Sequence, residues 1–147
     1  MIFDKPLSRT VQRSLKDIRP LRMCEFLIAR FSSVFPQIHY DVLWDSNTCN
    51  GHAFLLNDIR HVRLYGGLLR HKNVGLAGLA VCLAHETGHH LGGPPYHEFY
   101  PWLSSEAQAD TWAYETGLRV VFGPKKAAIY VANGRRQLSR VLLTLTN

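Results

Sequence analysis

The 147 residues predict an α+β domain, and three observations carry that prediction. Residues 74–91 form an apolar stretch with the length and composition of a buried helix. Ahead of it, short alternating runs separated by turn residues read as a small antiparallel sheet. Behind it, two further helical stretches are divided by Gly123-Pro124.

Taken in order, residues 7–35 read as helical with a break at Pro20, because proline removes a backbone donor and clashes with the preceding turn. Beyond the break Met23, Phe26, Leu27, Phe31 and Val34 recur near the 3.6-residue period as an apolar stripe. Ile38, Tyr40, Val42 and Trp44 alternate with polar neighbours, the pattern of a half-buried strand. Asp45-Ser46-Asn47 and Asn50-Gly51 are turn chemistry. Residues 53–56 and 59–65 read as two more strands joined tightly through Asn57-Asp58. Gly66-Gly67 interrupts the chain before the long helix, and Gly92-Gly93-Pro94-Pro95 stops that helix. The next helix spans residues 104–122 with Ser104 or Ser105 as its cap. The last runs over residues 124–145 with a weak point at Gly134. No internal repeat or low-complexity segment is present, and the length suits a single domain over residues 1–147.

Hydrophobic content of 46% with 19% charged residues excludes a disordered chain. No segment reaches the roughly 18 uninterrupted apolar residues of a membrane span. The opening Met1-Ile2-Phe3-Asp4-Lys5-Pro6 has no apolar secretory core, so a cytoplasmic location is expected. Cys24, Cys49 and Cys82 are widely spaced and odd in number, which argues against a disulfide framework and against a cysteine-ligated structural metal. Cys82, on the apolar helix, reads as a buried structural thiol. The net charge of +6 gathers near the termini, in Arg9, Arg13, Lys16 and Arg19 and again in Lys125, Lys126, Arg135, Arg136 and Arg140. Solvated helix faces account for these cations, and no interleaved aromatic residues support base stacking, so nucleic acid is not the expected partner.

The chemistry lies in His85-Glu86-Thr87-Gly88-His89. Residues four apart share a helical face, so two imidazoles of an HExxH helix can reach one metal ion. Glu86 then stands beside the ion, placed to take a proton from a metal-activated water. Leu76, Leu79, Val81, Leu83 and Leu91 flank the motif and imply burial, and buried histidines and carboxylates need partners. One Zn2+ is the expected cofactor.

A catalytic zinc takes three protein ligands and keeps a position open. The HExxHxxGxxH extension fails here, because Pro95 stands where the third histidine belongs and no methionine follows Met23. A carboxylate from the following helix is the alternative. Glu106 and Asp110 are four apart, so one can bind the metal while the other accepts the free N–H of a ligating histidine. Small residues at Ala107, Ala109 and Ala113 let this helix approach the motif helix.

HETGH, the Glu106–Asp110 segment, Asn50-Gly51-His52-Ala53-Phe54 and Gly67-Leu68-Leu69 together resemble the gluzincin metallopeptidases, and among them the HtpX-like and CAAX-prenyl endopeptidase group. The similarity spans residues 44–113. It implies a zincin-like fold, Glu106 as the third zinc ligand and Asp110 as the partner behind a histidine. The chain departs from the group in lacking transmembrane helices, in the Gly51-His52 pair within the strand element, and in the short interval from His89 to Glu106. It looks like a small soluble relative of the catalytic core.

The expected activity is zinc-dependent cleavage of extended polypeptide segments, with His85, His89 and Glu106 as metal ligands and Glu86 as general base. An edge strand at residues 53–56 can hold such a substrate through main-chain hydrogen bonds. Oxyanion or substrate contacts have several candidates: His97, Tyr96 and Tyr100 in the loop, Tyr114 and Arg119 on the ligand helix, and His52. His90 is rotated about 100° from His89 and is expected to face elsewhere. The alternative is a zinc-binding module that does not cleave and contacts nucleic acid or an acidic partner through its basic termini.

Overall fold

The computed structural model describes residues 5, 6 and 11–146. In chain order these form β1 (Lys5–Pro6), α1 (Arg19–Val34), β2 (Ile38–Leu43), β3 (Thr48–Cys49), β4 (Gly51–Leu56) and β5 (Ile59–Tyr65). There follow α2 (Gly66–Leu69), α3 (Leu76–Leu91), α4 (Glu106–Trp112), a π-helical turn (Ala113–Gly117), α5 (Leu118–Phe122) and α6 (Pro124–Thr146). The fold is α+β, with helices packed against a small sheet.

The three-stranded sheet has the order β2-β5-β4 and is mixed, which corrects the antiparallel expectation. β4 and β5 form the expected hairpin, and Asn57 (φ 52°) and Asp58 (φ 62°) supply the two positive φ angles of a two-residue turn. β2 runs parallel to β5, in register from Ile38 opposite Arg60 to Leu43 opposite Tyr65. Local alternation specifies a strand but not its neighbour's direction. β1 pairs with β3 as a separate two-stranded ribbon. β4 is left as an edge of the main sheet, beside the motif helix.

The helix expected over residues 7–35 starts only at Arg19, and residues 7–10 lie outside the described residues. Pro20 stands in the first turn of α1, where a missing N–H costs nothing, so it does not break a longer helix. Residues 11–13 instead strap the chain to residues 70–72: Lys72 N–H donates to Val11 O at 2.8 Å and Arg13 N–H to Arg70 O at 2.6 Å. The buried face of α1 is Pro20, Cys24, Leu27 and Phe31. Phe26 and Val34, expected in the stripe, are exposed. Phe31 meets Tyr40 on the sheet and Phe122 on α5, joining three layers of one core.

α3 runs through the centre of the fold and is buried from Ala77 to His90, against α1, α4, α6 and the sheet. No side chain caps its N-terminus locally. Gln137 on α6 does so from across the core, its Oε1 accepting from Gly75 N–H at 2.9 Å and Gly78 N–H at 2.8 Å. Gly134 is not a weak point in α6: a Cβ there would lie 2.5 Å from Val81 Cγ2 and 2.7 Å from Ala77 O. Its small size lets α6 close on α3. The chain leaves α3 through Gly92 and turns at Gly93, whose φ of 74° suits glycine. No helix among the described residues is long and apolar enough to cross a membrane.

Candidate metal centre

The HExxH spacing works as helical geometry requires. His85 and His89 lie one turn apart on α3, with ring centroids 4.7 Å apart and planes at 89°. Their ligating atoms and one carboxylate oxygen of Glu86 all lie within 4.8 Å of one another, and all three residues are buried. Such a group can hold a metal ion.

α4 supplies the remaining donors. Ser105 caps it, accepting from Gln108 N–H, and this starts the helix at Glu106. Glu106 Oε2 lies 2.8 Å from His85 Nε2, and Oε1 lies 3.2 Å from His89 Nε2. One carboxylate therefore faces both imidazoles. Gly88, inside the motif, permits this closeness: a Cβ there would lie 2.6 Å from Ala109 O. Ala109 and Ala113 are buried at the contact as expected, whereas Ala107 is exposed and plays no part in it.

The outer nitrogens of both histidines are already engaged. His85 Nδ1–H donates to Asp110 Oδ1 at 2.5 Å, and His89 Nδ1–H donates to the Ser104 carbonyl at 2.7 Å. These partners fix the neutral tautomer with its Nε2 lone pair turned inward, as metal ligation demands. His85 Nε2 is buried and, despite its closeness to Glu106, lacks hydrogen-bond geometry to any partner. A metal cation at the point where the three groups converge would satisfy a buried nitrogen so placed. The donor set of two imidazoles and one carboxylate fits zinc.

Electrostatics agree with the geometry. Burial depresses the His85 pKa, yet the adjoining Asp110 and Glu106 carboxylates outweigh it and hold the imidazole up at about 9 in the metal-free protein. The same two histidines hold the Glu106 carboxyl well below the usual carboxylate range. His90 behaves oppositely, lowered to about 4 by burial. Its Nε2–H donates to His61 O at 2.7 Å, its Nδ1 faces Arg60, and its ring stacks on Trp102. It thus faces the sheet and pins the loop after α3, away from the convergent nitrogens.

Two supporting contacts have no signature in the sequence. Ser104 grips His89 from both sides, its N–H donating to His89 O while its own carbonyl receives the ring N–H. Thr87 Oγ1 donates to Leu83 O at 2.6 Å and so accepts from Tyr40 OH at 2.8 Å, tying β2 to the motif helix.

The other candidates divide between two places. Tyr114, in the π-helical turn, lines a cavity of about 300 Å³ together with His85, Glu106 and Asp110. Arg135 of α6 lines it too, its guanidinium 5.4 Å from the centre of the Tyr114 ring. Sequence patterning offered no signal for Arg135 beyond its positive charge. His52 and Tyr100 instead line a groove of about 530 Å³ along edge strand β4, with Phe54, Trp102 and Leu103. His52 Nδ1 is 2.9 Å from Tyr65 OH. His97 packs on Phe99 and Tyr100 within the loop and lines neither space. Tyr96 is half exposed at the same loop, and Arg119 lines a separate depression on the far side of Tyr114.

Comparison of this chain with protein families, with curated proteins and with solved structures found no match.

Proposed function

We propose that this protein is a zinc-dependent endopeptidase that hydrolyses peptide bonds in extended polypeptide segments. The observation that carries the reading is the convergence of His85 Nε2, His89 Nε2 and the Glu106 carboxylate on one point, with both Nδ1 atoms already committed to acceptors. A structural site would close its coordination with a fourth protein ligand, commonly cysteine. Cys24, Cys49 and Cys82 are buried and belong to no metal-binding group among the described residues.

His85, His89 and Glu106 would hold the ion. When bound, zinc supplies Lewis-acid polarisation of a carbonyl and lowers the pKa of a coordinated water to near neutrality. Every remaining role falls to the chain itself. Glu86, buried beside the two histidines, takes the proton from the attacking water on a carboxylate oxygen and delivers it to the leaving amine. Asp110 and Ser104 keep the imidazoles oriented. β4 offers to an extended peptide an edge that is unpaired among the described residues, and the groove beside it accommodates side chains.

The test is cleavage profiling. Zinc-loaded wild type and Glu86→Gln are incubated with a diverse peptide library, and new termini are read by mass spectrometry. Cleavages made only by wild type are expected, with metal analysis giving one zinc per chain in both proteins. Stoichiometric zinc with no Glu86-dependent cleavage would overturn the reading in favour of a binding module.

A further inference from the structure

We infer that the cavity beside the metal group is a substrate subsite that selects a carboxylate, with Arg135 as the residue that recognises it. The inference rests on the peptidase reading and names a feature of the substrates it would prefer. The cavity lies between α3, α4 and α6, and its apolar walls include Val81 and Leu138. Val81 sits one helical turn before His85, so the space opens directly beside the convergent nitrogens. At about 300 Å³ it suits one substrate side chain or the last residue of a chain.

Charge decides what fits there. Three ionic groups besides His85 line the cavity: Glu106, Asp110 and Arg135. The two carboxylates are already occupied by the imidazoles, at 2.5 Å for Asp110 and 2.8 Å for Glu106. A divalent ion on the histidines would cancel their two negative charges. Among the lining groups Arg135 then remains as the charge without an opposite charge in contact, Glu86 lying outside the lining. Among the described residues no carboxylate lies within ion-pair distance of it; its recorded contact is the face of Tyr114.

Contact with the face of that ring holds the guanidinium near the cavity without using its N–H donors. A carboxylate can receive two parallel N–H bonds from a guanidinium edge. Ser139, one turn further along α6, places a hydroxyl on the same wall. Lysine and arginine side chains are disfavoured by the Arg135 charge. The carboxylate can come from an Asp or Glu side chain or from the C-terminus of the substrate chain.

The experiment measures binding as well as cleavage, so the two readings fail separately. Glu86→Gln, with and without added Zn2+, is titrated calorimetrically with four probes. Two are end-blocked alanine hexapeptides carrying one glutamate or one glutamine. The others are an all-alanine hexapeptide with a free C-terminus and its amide. The charged member of at least one pair should bind about ten-fold more tightly, the scale of a charge-assisted hydrogen bond at a partly exposed site. The first pair reports a side-chain carboxylate, the second a terminal one. Arg135→Gln in the same background should bring the favoured pair to within about two-fold. With a fifth probe, the end-blocked hexapeptide carrying one lysine, Arg135→Glu should reverse the preference, which a folding defect cannot do. Equal binding within both pairs would overturn the inference, as would a preference that survives Arg135→Gln. Selective binding without Glu86-dependent cleavage by wild type would sink the peptidase reading and leave the carboxylate subsite standing.

Discussion

Gly88→Ala changes none of the proposed ligands, yet it should weaken metal binding. Helix propensity alone favours the substitution by about 1 kcal/mol, since Gly88 lies inside a regular helix. Packing opposes it. The added Cβ would stand 2.6 Å from Ala109 O, 3.1 Å from Ala109 Cα and 3.2 Å from its carbonyl carbon. These are backbone atoms and cannot swing aside. Bringing the closest contact out to 3.0 Å requires α4 to withdraw from α3 by about 0.4 Å, and comfort requires more. Overpacking of this kind costs about 1–3 kcal/mol, so the net loss is about 1 kcal/mol and Tm falls by about 3 °C. The larger consequence is at the site, because Glu106 and Asp110 ride on α4. Displacing a ligand and a histidine's partner together should lower zinc affinity by about 10–100-fold. Competition against a chromophoric chelator measures the affinity, and a thermal melt of the metal-free protein measures the packing. A raised Tm with unchanged zinc affinity would refute the argument that close approach through Gly88 positions the α4 carboxylates.

Three further outcomes are expected. Asp110→Ala removes the acceptor of His85 Nδ1–H and should lower zinc affinity by about 10–100-fold, read in the same competition assay. Gln137→Leu strips the cap from the N-terminus of α3 and leaves Gly75 and Gly78 N–H without that acceptor, which should cost about 1–2 kcal/mol in urea unfolding while His85 and His89 stay in place. In the metal-free protein the His85 pKa is raised from 6.5 to about 9, so its contribution to stability is complete below pH 6.5 and is lost as pH rises through about 9. Zinc must displace that proton, so its affinity should climb with pH up to about 9 and then level off; a flat profile between 6.5 and 9 would contradict the assignment.

Much of the site was legible because helical periodicity turns spacing into geometry. His85 and His89 at i and i+4, and Glu106 and Asp110 at i and i+4, each define one face of one helix, and facing those two faces builds the cluster. Asn57-Asp58 was legible for a similar local reason, since a two-residue hairpin turn needs residues that tolerate positive φ. Residues 11–18 do not form the expected helix because backbone donors and acceptors there are partly taken up by residues 70–72, a contact between distant segments. The stripe on α1 was rotated because periodicity alone does not distinguish Cys24 from Phe26 as the inward residue.

What the sequence by itself determined is three elements and the chemistry each can present: a buried HExxH helix, a capped carboxylate helix after it, and a hairpin before it. Those properties depend on neighbours within a few turns. The tertiary structure alone decided that β2 joins β5 in parallel and that Gln137 caps a helix 62 and 59 positions away in the chain. It alone decided that the Ser104 carbonyl holds His89, and that Arg135 arrives beside Glu106 and Asp110. These contacts join segments distant in the chain, and their partners are set by packing around the common core, which no local pattern encodes.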